Sequence, residues 1–170
     1  MTKTISFSLD VRSINRAIRE LEDYTEDVKR KIGELVRKLT EEGVRVAAVQ
    51  VQMLGALDTG ELADSFIAFY DEESHVGIIR STCYYAVFVE YGTGIVGAGA
   101  QHPEMNGVWS PAGGWVYDHN SHGEDGWKYV SDRDGKLHWT MGQPSRPFMY
   151  ETYKELQGLA RQLAVEIFNQ

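Results

Sequence analysis

From Ile14 onward, apolar residues return every three or four positions: Ile14, Ile18, Leu21, Val28, Ile32, Leu35 and Leu39. That spacing places them on one face of a long amphipathic helix. Glu26–Arg30, Asp27–Lys31 and Glu34–Lys38 set an acid four residues before a base, which supports the helix, and the order of acids before bases follows its dipole. Gly43 is a point where the helix bends or breaks, and Val44 to Leu54 continues it as a more buried segment. The stripe has two readings, the face that packs on the protein's own sheet and a coiled-coil-like seam with another subunit; the first is adopted here. Upstream, Ile5, Phe7 and Leu9 alternate as in a short strand, and Asp10 or Ser13 is placed to cap the helix.

Beyond a break at Gly55 to Gly60, the period changes. Asp58 or Thr59 caps a short turn containing Glu61 and Leu62. Ser65 to Tyr70 and Val76 to Ser81 then read as paired strands across the polar turn Asp71-Glu72-Glu73-Ser74. Tyr84 to Tyr91 reads as a short buried helix ended by Gly92 in the left-handed conformation. Between Ile95 and Gly142 lie nine of the 17 glycines and all four tryptophans, Trp109, Trp115, Trp127 and Trp139. Gly114 to Asp118 reads as a strand there. Trp127 to Ser131 and Lys136 to Met141 read as a hairpin turning at Asp134-Gly135, with Trp127, Tyr129, Leu137 and Trp139 on one face. Ser145 caps a last helix, Pro147 sits in its first turn, and Met149, Tyr153, Leu156, Ala160, Leu163 and Ile167 make its stripe.

The 170 residues suit a single domain, 1–170, with 95–142 as a loop-rich insertion within it. Hydrophobic residues make up 42%, which is enough for a core, and no run approaches the length of a membrane span. The first residues lack the apolar core of a signal peptide, and the lone Cys83 has no internal disulfide partner, so synthesis in the cytoplasm is expected. A net charge of −8 argues against broad binding to phosphates, while an acidic channel wall would let DNA pass without holding it.

No enzymatic motif stands out. His119 and His122, beside Asp118, Glu124 and Asp125, are the densest set of metal-ligand types. They fit neither the helical H-E-x-x-H spacing nor a calcium loop, and they read as a solvated loop tip. Glu90 lies in an apolar run where burial would raise its pKa; it reads as a structural carboxylate held by backbone N–H groups or by an arginine such as Arg146. Cys83 has no neighbouring base and reads as a small buried side chain. Gly92-Thr93-Gly94 lacks the phosphate-loop pattern and reads as a tight turn. The four tryptophans suit a partner interface or a local core, and stacking on a sugar is a further use.

Taken in order, Thr59, Gly60 and Leu62, then Ser65, then Tyr85, Ala86, Val89, Glu90, Tyr91, Gly92 and Thr93, then Arg146, Pro147 and Phe148 resemble the tail-completion (neck) proteins of long-tailed phages. The type is gene product ten of the lambdoid HK phage. The likeness covers residues 14–94 and 143–168 and leaves the insertion aside. It implies an α+β fold, with long N- and C-terminal helices on a small antiparallel sheet. It further implies a non-enzymatic virion protein without cofactor, working as a homo-oligomeric ring at the end of the tail. Its partners would be the head-side connector or stopper and the tail tube or terminator, and DNA would pass through unbound. A tail terminator is the alternative within this class, and a small metal-dependent hydrolase using His119 and His122 is the remote one. Glu90 is expected to pair with Arg146 and dock the short helix on the entrance to the last one.

Overall fold

The computed structural model describes residues 11–104, 114–131 and 133–169. Its fold is α+β, as the sequence implies. Helix α1 (Val11–Met53) leads into a one-turn helix α2 (Glu61–Asp64), strands β1 (Phe66–Asp71) and β2 (Val76–Ser81), and helix α3 (Ala86–Tyr91). Helix α4 (Gly94–Gly99), a 3-10 turn at Gly123–Asp125, strands β3 (Trp127–Val130) and β4 (Leu137–Thr140), and helix α5 (Phe148–Phe168) complete it. The strands form two separate two-stranded antiparallel sheets, β1–β2 and β3–β4. The expected strand at Thr4 to Leu9 and the cap at Asp10 lie outside the described residues.

Helix α1 runs unbroken through Gly43 and, at a rise of 1.5 Å per residue, spans about 65 Å. Its glycine serves close approach rather than a bend: a Cβ there would strike the Ile79 side chain and meet Leu156 Cδ1 at 3.0 Å. Gly77 on β2 lies against Thr40 and Val36, and Gly33 lies beneath Tyr70 and His75. The hairpin therefore packs its Tyr70, Gly77 and Ile79 face on the second half of α1. Helix α5 runs antiparallel along the same stretch, with Gln50 Nε2 donating to Glu155 Oε2 at 2.9 Å and Lys38 Nζ lying 3.8 Å from Glu166. Ala47 and Val51 of α1 join Leu62, Phe66, Cys83, Val89 and Phe148 in the core. Cys83 is buried there, as expected.

The stripe on α1 divides. From Leu35 on it is at least half-buried against the protein's own hairpin and α5. In the first half, Ser13 and Ala17 are buried, but Val11 (73% exposed), Ile14, Ile18 and Leu21 (53%) face solvent. The charges also depart from the sequence reading. Asp27–Lys31 (3.3 Å) and Glu34–Lys38 (3.2 Å) form as expected, but Glu26 pairs with Lys29 and Arg30 turns to Asp27. These are i,i+3 contacts, equally close on a helix. Within the described residues, Arg12, Arg16 and Arg19 precede the acids of α1, and its last turn holds no base, although the dipole would favour one there.

In β1–β2 the register pairs Phe69 with Ile78 and Asp71 with Val76. Ile67, Phe69, Val76 and Ile78 thus share the face turned away from α1, and all four are exposed, Phe69 at 59%. Asp71 closes the turn as expected for such a residue. Its Oδ1 accepts from Glu73 N at 2.9 Å, and bonds from Ser74 and Glu73 hold its carboxyl below the usual range.

Candidate functional site

The Tyr85-to-Gly94 segment builds a buried polar arrangement from few parts. A short apolar run forms the six-residue α3 and brings Val89 into the core, while Glu90, next in line, points to the start of α5. Glu90 is 5% exposed. Its Oε2 accepts from Met149 N at 2.9 Å and its Oε1 from Tyr150 N at 3.1 Å. These N–H groups open α5 and have no partner within the helix, so the carboxylate caps α5 from 59 and 60 residues away in sequence, at the positive end of its dipole. Ser145, expected to be the cap, instead donates its hydroxyl to the Glu90 carbonyl, and Pro147 stands at the N-cap position without a side-chain bond.

A third bond reaches Glu90 from the segment beyond Gly94. His102 is 3% exposed, and its Nε2 lies 3.2 Å from Glu90 Oε1. Nδ1 lies 3.1 Å from both the N–H and the carbonyl oxygen of Glu104, so the ring is anchored at both nitrogens with Nε2 turned to the carboxylate. Burial raises the Glu90 pKa above its ordinary value, against the opposing pull of the Met149 and Tyr150 N–H groups and His102. The expected Glu90–Arg146 pair does not form. Arg146 gives its Nη1 to Gln143 Oε1 at 3.1 Å and its backbone N–H to Val89 O at 2.9 Å. An arginine is a reasonable guess for a buried acid, but the helix end and His102 already occupy the oxygens of this one.

Aromatic rings extend the arrangement. His102 stacks near Tyr91 (centroids 4.8 Å apart) and meets Tyr150 edge-on at 5.4 Å. Trp115 packs on Tyr91 at 5.2 Å and Phe88 at 5.7 Å, and its Nε1 donates to Gly92 O at 2.9 Å. The tyrosine hydroxyl of Tyr91 is pushed up in pKa by burial and then by the charge on Glu90.

Gly92 ends α3 as expected, but with φ 81° and ψ 169° it is extended with positive φ rather than left-handed helical. The Gly92-Thr93-Gly94 turn leads straight into α4, which the sequence reading missed. Thr93 pairs with Gln143, N–H to carbonyl in both directions at 2.9 and 3.1 Å. The long excursion therefore leaves and returns at one point. A Cβ on Gly92 would meet Ser145 N at 2.6 Å and Gln143 O at 2.8 Å. Gly92→Ala is accordingly expected to destabilise the fold by about 1–3 kcal/mol, read as a lowered denaturant midpoint; an unchanged midpoint would contradict this geometry.

The other motif residues are fold determinants. Thr59 Oγ1 accepts from Glu61 N at 3.3 Å, Gly60 takes φ 95°, and Leu62 is in the core. Ser65 Oγ bonds Leu62 O at 2.7 Å and Ser81 Oγ at 2.6 Å. Tyr85 is half-buried and its hydroxyl pKa is pushed up to about 12, mainly by burial. Phe148 meets Phe66 edge to face at 5.7 Å.

The tryptophans separate. Trp115 is internal packing, Trp127 lies against Gly94 and against His122 at 4.9 Å, and Trp139 is 55% exposed with Nε1 donating to Asp125 O. Trp109 lies outside the described residues. The hairpin forms, but its register pairs Lys128 with Trp139 and Tyr129 with His138. Directly paired residues share a face, so Leu137 and Trp139 lie with Val130 and Lys128, opposite Trp127 and Tyr129. Gly114 to Asp118 is not a strand: Trp115 turns in to pack on α3, and Gly94 N donates to the Tyr117 carbonyl at 2.6 Å. His119 and His122 do not converge on an ion site with their acidic neighbours. Asp118 uses its two oxygens on His122 N (2.9 Å) and Gly123 N (2.7 Å) to shape the loop, which holds its carboxyl low. Among the described residues, no three His, Cys, Asp or Glu side chains are placed to share a metal.

His102, Tyr150 and Gln143 were missed by sequence reasoning. Their only signal is polarity or aromaticity in a loop or at a helix start, because their partners are distant in the chain.

Glu90, Ser145 and His102 thus meet at the entrance to α5, while Thr59, Gly60, Leu62 and Ser65 shape the turn before β1. Residues 17–92 match the bacteriophage HK97-gp10 family. Its description reads "Bacteriophage HK97-gp10, putative tail-component". The matched stretch runs from the first half of α1 to the end of α3, through Thr59, Gly60, Leu62, Glu90 and Gly92. It stops before α4 and the excursion. No curated protein and no solved structure matches the chain.

Proposed function

We propose that this protein is the tail-completion, or neck, component of a long-tailed phage or prophage, joining the tail to the head-side connector as a homo-oligomeric ring. The observation that carries the reading is the family match over residues 17–92, together with the continuation of the motif order into Arg146, Pro147 and Phe148. The chain acts as one such domain, with residues 95–142 as its insertion. It works by assembly rather than turnover and needs no cofactor. Its partners are copies of itself, the connector or stopper, and the tube or terminator, and it resides in the virion. The acidic balance of the chain, −8, suits a passage through which DNA moves without being gripped. Thr59, Gly60, Leu62, Ser65, Tyr85, Val89, Glu90, Tyr91, Gly92, Pro147 and Phe148 serve this role by fixing the fold, and the exposed Trp139 is the tryptophan best placed to meet a partner.

Electron microscopy of a lysate lacking the gene tests the reading. DNA-filled heads lying apart from tails of normal length are the expected result. Overlong tails would assign the protein to tail termination instead, and intact infectious virions would overturn the reading.

A further inference from the structure

Among the described residues, two apolar faces lack a cover. One is the first half of the α1 stripe, with Val11, Ile14, Ile18 and Leu21 exposed; the other is the outward face of β1–β2, with Ile67, Phe69, Val76 and Ile78 exposed. A sheet that is apolar on both sides calls for a layer on each, and among the described residues only the inner side is occupied, by α1 itself. The helix is continuous from Val11 to Met53, and its second half lies on the inner side of the hairpin, so its first half does not reach the outer side of the same hairpin. A second copy can supply it.

We propose that the exposed stripe of α1, residues 11–28, docks on the outward face of the β1–β2 hairpin of the next copy, making a head-to-tail contact. The inference rests on the ring-forming reading above and names its interface. Charge fixes the direction. Residues 11–19 carry Arg12, Arg16 and Arg19 and no acid, while residues 20–28 carry Glu20, Glu22, Asp23, Glu26 and Asp27 and no base. The hairpin has the opposite order, with Asp71, Glu72 and Glu73 at its turn and Arg80 towards its open end. The basic tip of the helix lies over the acidic turn, and the acidic stretch lies over Arg80. Dimensions agree: eighteen helical residues span about 27 Å and six strand residues about 20 Å. An arm-on-arm pairing would be two-fold and would leave the sheet face bare. A head-to-tail contact repeats and closes a ring when its rotation allows.

Paired cysteines test this. Leu21→Cys with Phe69→Cys, and separately Ile18→Cys with Ile78→Cys, place thiols on exposed positions, and the native Cys83 is buried. Circular dichroism confirms that each variant folds. The variants are oxidised both as concentrated protein and in virions from a complemented deletion. The expected result is a ladder of disulfide-linked multimers from either double variant on a non-reducing gel, with the single variants remaining monomeric. A dimer from Leu21→Cys or Ile18→Cys alone would replace the proposal with arm-on-arm pairing. Absence of a ladder in both settings would overturn it. Failure here leaves the deletion phenotype intact, and a ladder from a protein whose deletion spares the virion would refute the neck assignment alone.

Discussion

Glu90→Ala is expected to destabilise the protein by about 3–5 kcal/mol, because it strips the acceptor from three buried donors at once. Met149 N, Tyr150 N and His102 Nε2 all end on its two oxygens, and alanine offers none of them a replacement. Denaturant unfolding followed by far-UV circular dichroism measures this directly. Glu90→Gln keeps one oxygen and should lose less, about 1–3 kcal/mol. A loss below about 0.5 kcal/mol for alanine, the level of an ordinary surface change, would mean that the carboxylate does not hold the helix entrance. The same pair of proteins carries a pH signature. The folded pKa of Glu90 lies above its ordinary value of 4.5, chiefly through burial. Between those two values the folded chain retains a proton that the unfolded chain has lost, so stability falls as pH rises through that window. Glutamine does not titrate. The advantage of the wild type over Glu90→Gln should therefore be largest below the ordinary carboxyl range and shrink as pH passes the raised value. A margin that grows with pH would reverse the assigned cause.

Phe148→Ala is expected to cost about 3–5 kcal/mol, the usual range for emptying a buried phenylalanine site. The side chain is 1% exposed, in the same cluster as Ala47, Val51, Leu62, Phe66 and Val89. Its ring lies edge to face with Phe66 at 5.7 Å. It is also the first residue of α5, directly before Met149 and Tyr150, whose N–H groups Glu90 caps. The cavity and the helix entrance would thus be disturbed together, and the double variant with Glu90→Ala should lose less than the sum of the two single losses. Thermal and denaturant unfolding of the four proteins in that cycle checks both the size and the coupling. Additive losses would show that core and cap act independently.

What the sequence made legible follows from periodicity. The stripe of α1, the two hairpins and α5 each repeat their pattern within one element, so neighbouring positions report the same surface. The core likewise came from motif residues, since Leu62, Val89 and Phe148 are apolar within patterned runs. What stayed hidden depends on partners far along the chain. Glu90 was recognisable as a buried carboxylate, yet its bond to His102 crosses a turn with no pattern, and its capping of α5 crosses the whole excursion. Gly43 and Gly92 show a second limit. A glycine in sequence announces freedom, and only packing tells whether that freedom serves a bend, a close approach or an unusual φ. The hairpin at Trp127 shows a third: alternation gives the faces of each strand separately, but a shift of one residue in register decides which faces coincide. The division of the α1 stripe belongs with these, because identical spacing continues across residues that are covered and residues that are not.

The mutual bonds of Thr93 and Gln143 have a practical meaning for engineering. A chain that departs and returns at adjacent positions can have its far portion replaced without moving its anchors, and closure entropy changes only with the logarithm of length. The portion nearest the anchors is not exchangeable in this way, since His102 and Trp115 are built into the helix entrance. The tip of the outer hairpin, between Val130 and Leu137, is a graft site, where a peptide tag can be displayed while Trp127 stays against Gly94 and the scaffold beneath keeps its own support.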